Sequence, residues 1–338
     1  MCSFFNSNAQ LKKDIQSTEW WNNITIASET ELPMMSDTVV VMYTTRKLNK
    51  TNIAFFTNEI SATPTVALAV CKNKKWKVYI LPTLIEALHY LPLRENTVFY
   101  VEGLGKSFPI AMYRAAGVMT QYQVNVIMFD YPSLDEQKGL IKNFYFAQRN
   151  SIQSAPQFAS FLNQVHQLSL ESSKVEAYYS SHKVLLMHSL GNAMLREMML
   201  KKIDLAPHIL FNRIIINAAC VPQRKHSDWV NEINFANEIY IHYNKKDFQL
   251  LGATFLKHQK VLGARNTKPY SQKATYVNFY KLLGPMHNGY LNNPGVFNVP
   301  LKSDQFYRAL FYGEPINWND DTQFKKMKSR PHHYLILP

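Results

Sequence analysis

Val184-Leu185-Leu186-Met187-His188-Ser189-Leu190-Gly191-Asn192 is the stretch that decides how this chain folds. Four apolar residues read as a short buried strand, a serine follows almost at once, and the chain turns into a helical stretch ending near Lys201. A serine on so tight a strand-to-helix turn is thrust out above the sheet, where its hydroxyl can meet a substrate and a histidine. The turn strains the serine backbone, so small residues are favoured two positions to either side. Gly191 supplies one of them. Met187 stands where Gly or Ala is usual, and its long side chain has to find room between strand and helix. Ser189 would also suit a helix N-cap, so the segment by itself does not separate a nucleophile from a cap.

Outward from this turn, short apolar runs alternate with amphipathic ones. Residues 98–101, 124–129, 184–187, 214–216, 239–243 and, more weakly, 274–279 read as strands. Residues 109–119 and 192–201 read as helices, and Phe158, Phe161, Leu162, Val165 and Leu168 share one face of a helix over 156–170. Apolar strands alternating with helices belong to a mostly parallel sheet with helices on both faces. With right-handed crossovers this is a doubly wound α/β domain. Ahead of it, residues 38–44 form a strand by their β-branched density, and 66–70 and 77–81 flank a Lys-rich clump as the arms of a hairpin. The domain is expected over 38–300, with N-terminal strands in 38–95 and the core in 96–300. Residues 1–37 read as an irregular segment with Trp20 and Trp21 as anchors, and 301–338 as an extension packing on or trailing from the core.

The chain has 338 residues, 46% of them hydrophobic, enough to bury a large core. It holds no uninterrupted run of about 18 apolar residues, so no membrane-spanning helix is expected. Met1-Cys2-Ser3-Phe4-Phe5 has no basic region followed by an apolar one and does not read as a secretory signal. A cytoplasmic location is the expectation; with a signal removed ahead of it, Cys2 would instead be a lipoprotein terminus. Cys2, Cys71 and Cys220 are scattered and odd in number, which gives neither a disulfide framework nor metal-ligand spacing. Cys71 and Cys220 read as buried free thiols. No His/Asp/Glu cluster has metal spacing either, and no metal or other cofactor is expected. The net charge of +13 points to an anionic partner or to solvated basic loops. The clumps at 72–77 and 325–330 fit the loops. No helix-turn-helix, zinc-finger or RNP-like motif accompanies the charge, which argues against nucleic acid. An anionic membrane surface or an acidic substrate is compatible with it.

Further landmarks accompany the serine in order. Tyr43-Thr44-Thr45-Arg46 closes the first strand and Phe99-Tyr100-Val101-Glu102-Gly103 a later one; Tyr131-Pro132-Ser133, Lys246-Asp247-Phe248-Gln249-Leu250 and His287-Asn288-Gly289-Tyr290 follow. This series resembles a family of α/β hydrolases, largely of unassigned function, whose elbow reads His-Ser-Met-Gly-Asn where this chain has His188-Ser189-Leu190-Gly191-Asn192. The family's other landmarks are a Tyr-Ala-Thr-Asp-Arg-like motif, a His-Gly, a Trp-Pro-Ser, a Lys-Asp-x-x-Leu and a His-x-Tyr. The resemblance covers roughly residues 38–300 and implies the α/β-hydrolase fold. Glu102 departs from it, standing where the family has histidine.

A serine hydroxyl needs a base in hydrogen-bond reach and a third group to orient that base. In this fold the order along the chain is serine, acid, histidine, which assigns Ser189, Asp247 as orienting carboxylate and His287 as general base. Asp130, at the end of its own strand, is the rival acid. His188 is expected to point away from Ser189 in a structural role and His242 to pack, while His258, His332 and His333 belong to the wrong elements. The oxyanion hole is assigned to the backbone N–H groups of Leu190 and Leu104. A carboxylate at Glu102 opposes a developing oxyanion unless neutralised, and Lys106 is its expected partner. The chemistry this implies is hydrolysis of an ester or related acyl bond through an acyl-enzyme, as in a carboxylesterase or lipase, on a small-molecule or lipid acyl substrate. An acyltransferase would use the same triad, and a degenerate scaffold only the fold. Phe144-Tyr145-Phe146 is either a lid or pocket wall, or core.

Overall fold

The computed structural model of the chain describes residues 24–27, 38–48, 56–72, 75–92, 94–170, 182–205, 208–293, 296–327, 330 and 332–338. Cys2, Trp20 and Trp21 lie outside these residues. The described strands are β1 (Ile24–Ala27), β2 (Thr38–Leu48), β3 (Phe56–Lys72), β4 (Lys75–Leu81), β5 (Asn96–Val101), β6 (Asn125–Asp130), β7 (His182–His188), β8 (Phe211–Asn217), β9 (Ala236–Tyr243), β10 (Ala274–Asn278), β11 (Phe324–Lys326) and β12 (His333–Ile336). The helices are α1 (Leu84–Leu88), α2 (Phe108–Tyr122), α3 (Leu140–Gln153), α4 (Ala155–Leu170), α5 (Asn192–Leu200), α6 (His226–Val230), α7 (Phe248–Lys257), α8 (Tyr280–Leu283) and α9 (Leu301–Tyr312). All twelve strands join one sheet in the order β1-β4-β3-β2-β6-β5-β7-β8-β9-β10-β12-β11. Only β3 and β11 run against the others. No described helix is long and apolar enough to cross a membrane.

Side chains alternate across a strand, so an all-apolar strand must be covered on both faces. That is what happens here. Phe99, Val101, Ile127, Phe129, Leu185 and Met187 enter one core layer with residues of α1, α4, α5 and α6. Val98, Tyr100, Val126, Met128, Val184 and Leu186 enter the opposite layer with residues of α2, α8 and α9. The helical face expected over 156–170 is buried throughout, with the Phe161 ring 4.9 Å from that of Tyr43 and 5.6 Å from that of Phe129. A large α/β domain with a mostly parallel sheet flanked by helices is thus the architecture of the chain.

Several elements differ from the expectation. Within residues 1–37, Ile24–Ala27 forms a strand that pairs parallel with β4. The 301–338 region is built into the domain: β12 pairs parallel with β10, and β11 lies outside it as an antiparallel edge strand whose Lys325 and Lys326 are exposed. His333 is therefore a sheet residue, wholly buried. The hairpin of β3 and β4 is present, but β3 begins well before residue 66: its first half, polar and carrying Pro64, lacks an apolar strand pattern and still pairs with β2. Proline cannot donate to the ladder, and Pro64 falls where the β2–β3 register shifts, between the Thr44–Thr65 and Arg46–Ile60 pairs.

The same irregularity accompanies a buried charge. Arg46 is fully enclosed, with Nε 2.7 Å from Asp130 Oδ2, and its terminal nitrogen donates at 2.8 Å to the carbonyls of Lys106 and Tyr131. The Thr44 hydroxyl donates to the same carboxylate at 2.7 Å. Asp130 is therefore committed to binding β2 to β6. Removing one member of a buried pair strands the other charge, which costs about 3–5 kcal/mol. Arg46→Met is expected to lower unfolding free energy by about that amount, read from urea denaturation at constant m-value.

Candidate active site

β5 lies between β6 and β7, so the connection after β5 leaves toward one side of the sheet and that after β6 returns to the other. Such a reversal opens a crevice beyond the carboxyl ends of the strands. Glu102-Gly103 leaves β5 there, and Ser189 leaves β7 beside it.

Ser189 follows His188 directly and begins a one-turn 3-10 helix, Ser189–Gly191, that runs on into α5. Its φ is +51°, in the left-handed region where a residue with a Cβ is strained and where functional positions concentrate. Asn192, wholly buried, holds the turn: its side-chain amide donates to the carbonyls of Met187 at 2.9 Å, Ser189 at 3.1 Å and Asn217 at 3.2 Å. Gly191 is required by space, since a Cβ there would lie 2.7 Å from the Glu102 carbonyl oxygen. Met187 finds its room in the core layer beneath α4 and α5, fully buried.

The chain leaving β5 presses on the serine itself. A Cβ at Gly103 would lie 2.7 Å from Ser189 Cβ and 3.1 Å from both Ser189 Oγ and the Leu190 nitrogen. Leu190 N–H belongs to the first turn of a helical segment, whose donors have no intrahelical partner. The neighbours of Leu104 are engaged, Gly103 N–H with Glu102 Oε2 at 2.9 Å and Gly105 N–H with the Ser133 carbonyl at 2.8 Å. Among the described residues no acceptor takes the Leu104 N–H.

Asp247 and His287 meet, with His287 Nδ1 2.6 Å from Asp247 Oδ2 and the carboxylate wholly buried. Asp247 also caps α7, its Oδ1 accepting from Leu250 N–H at 3.0 Å. Asn244 ties the two loops together by donating to the carbonyls of Gly284 at 2.9 Å and Met286 at 3.0 Å. A carboxylate can only accept, so neutral His287 carries its proton on Nδ1 and keeps the Nε2 lone pair. The His287 ring lies 4.7 Å from that of His188, the residue before Ser189. Among the described residues no hydrogen bond joins Ser189 Oγ to His287.

His188 lies against the ring of His287 and is buried in a polar link to Asn217, which fits the structural role expected of it. Its Nδ1 is 2.6 Å from Asn217 Oδ1. The Asn217 amide donates to the Tyr307 hydroxyl, which lies 2.8 Å from His242 Nδ1. Burial pushes the imidazoles of His188 and His242 from 6.5 down to about 3 each, so this polar chain is uncharged at neutral pH.

Glu102 is buried against Arg114, which donates to it directly, and against the Tyr100 hydroxyl; the Tyr290 hydroxyl lies 3.1 Å away and Lys106 Nζ 3.7 Å. Burial alone would raise the pKa of this carboxyl, but Arg114 and then Lys106 hold it well below the usual carboxylate range. The expected partner, Lys106, is the more distant one; Arg114 is the nearer. Its sequence signal was legible, because Arg114 is the single charged residue in α2. Asn192, Asn217 and Asn244 left no comparable trace, since an asparagine at a strand end reads as a cap or turn.

Other expected features fall as follows. Phe144-Tyr145-Phe146 lies inside α3, where Phe144 is buried in a cluster with Leu190 and Leu250 while Tyr145 is half exposed. His258 ends α7 in a left-handed conformation. Cys220 is a buried free thiol whose pKa burial raises to about 11, whereas Cys71 is only half-buried. Among the described residues no group of three or more His, Cys, Asp or Glu is placed to hold a metal ion. No protein-family model matches the chain, and no curated protein matches it.

Two outcomes follow from this geometry. Gly103→Ala is expected to slow reaction of Ser189 with a phosphonate electrophile by about tenfold to a hundredfold, because the added methyl displaces the serine side chain. The second concerns acid. His188 and His242 stay neutral when folded down to about pH 3, while unfolded imidazoles take up protons near 6.5. Their folded pKa values are depressed, so the unfolded state binds more protons between these limits and stability falls as pH drops below 6.5. At pH 5 the loss is about 2 kcal/mol for each. Replacing either with glutamine should remove about that share of the difference between urea unfolding at pH 8 and pH 5.

Proposed function

We propose that this chain is a serine hydrolase with an α/β-hydrolase fold, cleaving an ester or related acyl bond through an acyl-enzyme. The observation that carries the reading is Ser189, held at φ +51° at the switch point of a parallel sheet, on the edge where Asp247 and His287 form a pair. Serine, acid and histidine also follow in the chain order this fold uses. The succession of parallel strands from β6 through β5, β7, β8 and β9 to β10 is the frame that such enzymes share.

In this reading Ser189 Oγ attacks the acyl carbon and its proton passes to His287 Nε2. Asp247 holds the opposite nitrogen and stabilises the imidazolium that forms. The oxyanion accepts from the Leu190 and Leu104 N–H groups, each such donor being worth about 10²–10³ in rate. His287 then protonates the leaving group, and water, deprotonated by the same imidazole, releases the acyl group. Glu102 does not oppose the oxyanion with a bare charge, because Arg114 pairs with Oε1 while Oε2 accepts from Gly103 N–H. An alcohol or amine in place of water would make the reaction an acyl transfer.

A fluorophosphonate probe tests this without a guess at the substrate, since it reports on an activated serine alone. Labelling is expected at Ser189, located by mass spectrometry, and is expected to vanish in Ser189→Ala and to fall at least about a hundredfold in His287→Ala. A folded protein that resists the probe would overturn the reading and leave the fold as a binding scaffold.

A further inference from the structure

Eleven large apolar side chains are exposed among the described residues, and six of them crowd onto two neighbouring helices. On α7, Phe248, Leu251 and Phe255 are 67%, 40% and 77% exposed. At positions i, i+3 and i+7 they form one stripe, opposite the buried Leu250 and Ala253. On α3, Leu140, Ile141 and Tyr145 are exposed beside it. The two helices touch: the Tyr145 hydroxyl donates to the Leu256 carbonyl at 3.1 Å, and Phe144 shares a buried cluster with Leu250 and Ala253.

Along the two helices the charge has one sign; just ahead of α3, Asp135 is paired with Lys138 and Glu136 is exposed. Neither α3 nor α7 contains an acidic residue. From Lys245 to Lys273 the chain carries seven Lys or Arg and a single acid, Asp247, which is wholly buried against His287. Lys245, Lys246 and Lys260 are exposed at the two ends of α7, and Lys142 and Arg149 on α3. Phenylalanine and leucine tips backed by uncompensated cations match an interface in which acyl chains lie under anionic headgroups. An acidic protein would satisfy the cations but gives no comparable depth for the apolar tips. A second copy of the chain meeting this face across a two-fold axis would bring cationic rims together.

We propose that the α3–α7 face docks on an anionic lipid bilayer. The buried side of α7 packs in the same cluster as Leu190, so a docked bilayer would lie about one helix diameter, ~10 Å, from the Ser189 turn. Docking needs no chemistry at Ser189 and stands apart from the hydrolase reading.

Flotation of the full chain with vesicles tests it, comparing pure phosphatidylcholine with vesicles containing about one-third phosphatidylserine. The chain is expected to float with the anionic vesicles and not the neutral ones, and to be released by about 0.5 M salt. Ile141→Ser/Leu251→Ser/Phe255→Ser should weaken that binding by at least about tenfold. Lys142→Glu/Lys260→Glu should weaken it by a similar factor. Leu200→Ser/Leu301→Ser, two exposed apolar residues elsewhere, should leave it unchanged, and so should Ser189→Ala. Failure of the wild-type chain to bind anionic vesicles overturns the proposal, as does binding that survives the triple substitution. A concentration-dependent dimer that the triple substitution dissolves would assign the face to a second copy and overturn it equally.

Discussion

Between the chain leaving β5 and the turn leaving β7 there is no room for a Cβ on either side. Gly191 abuts the carbonyl of Glu102, and Gly103 abuts the serine. Both strands end at the same height because they pair in register from Asn96 with His182 to Val101 with Met187. The next residues of each therefore compete for one space, and Ser189 is turned into the left-handed region as a result. A residue with a Cβ held there costs about 1–3 kcal/mol. Asn192 offsets that strain with bonds to three backbone carbonyls, from β7, from the serine and from the end of β8. The strained conformation is thus fixed from β7, from β8 and from within the turn at once.

Under the site lies a polar layer with two electrical characters. On the β5 side, Glu102 and Arg114 form an ion pair completed by the hydroxyls of Tyr100 and Tyr290. On the β8 side, His188, Asn217, Tyr307 and His242 form a neutral chain. Buried ionic groups are tolerated only when every lone pair and proton finds a partner, and Glu102 meets that condition with five neighbours. The tyrosines supply acceptance and donation without adding charge. His188 sits where the two halves meet, its ring against Tyr290 on one side and its Nδ1 on Asn217 on the other.

Much of the frame was legible because it rests on apolar periodicity. The six core strands appear where residues 98–101, 124–129, 184–187, 214–216, 239–243 and 274–279 read as strands, and the α4 face is buried as its spacing requires. What stayed hidden was structure made from polar chain. The first half of β3 gives no strand signal because Thr, Asn, Glu, Ser and Pro fill it, yet its backbone pairs with β2. α3 escaped because its buried side includes Asn143, Asn150 and Ser151, satisfied by hydrogen bonds to backbone rather than by apolar contact. At the site, Asp247 and His287 are found together, as chain order suggested. Asp130 turned out to belong to Arg46, a partner 84 residues away in sequence that no local pattern could indicate.

The outermost strand at the β10 side has a consequence for how the molecule meets its own kind. A sheet this wide offers an edge of unpaired N–H and C=O groups, a template for fibrillar growth. Among the described residues that edge is β11, three residues long, with Lys325 and Lys326 exposed. An incoming strand would find too few backbone groups to pair with and two ammonium groups to desolvate. Lys325 and Lys326, from the basic clump that reads as a solvated loop, thereby disfavour the recruitment of further strands to a very large β-surface.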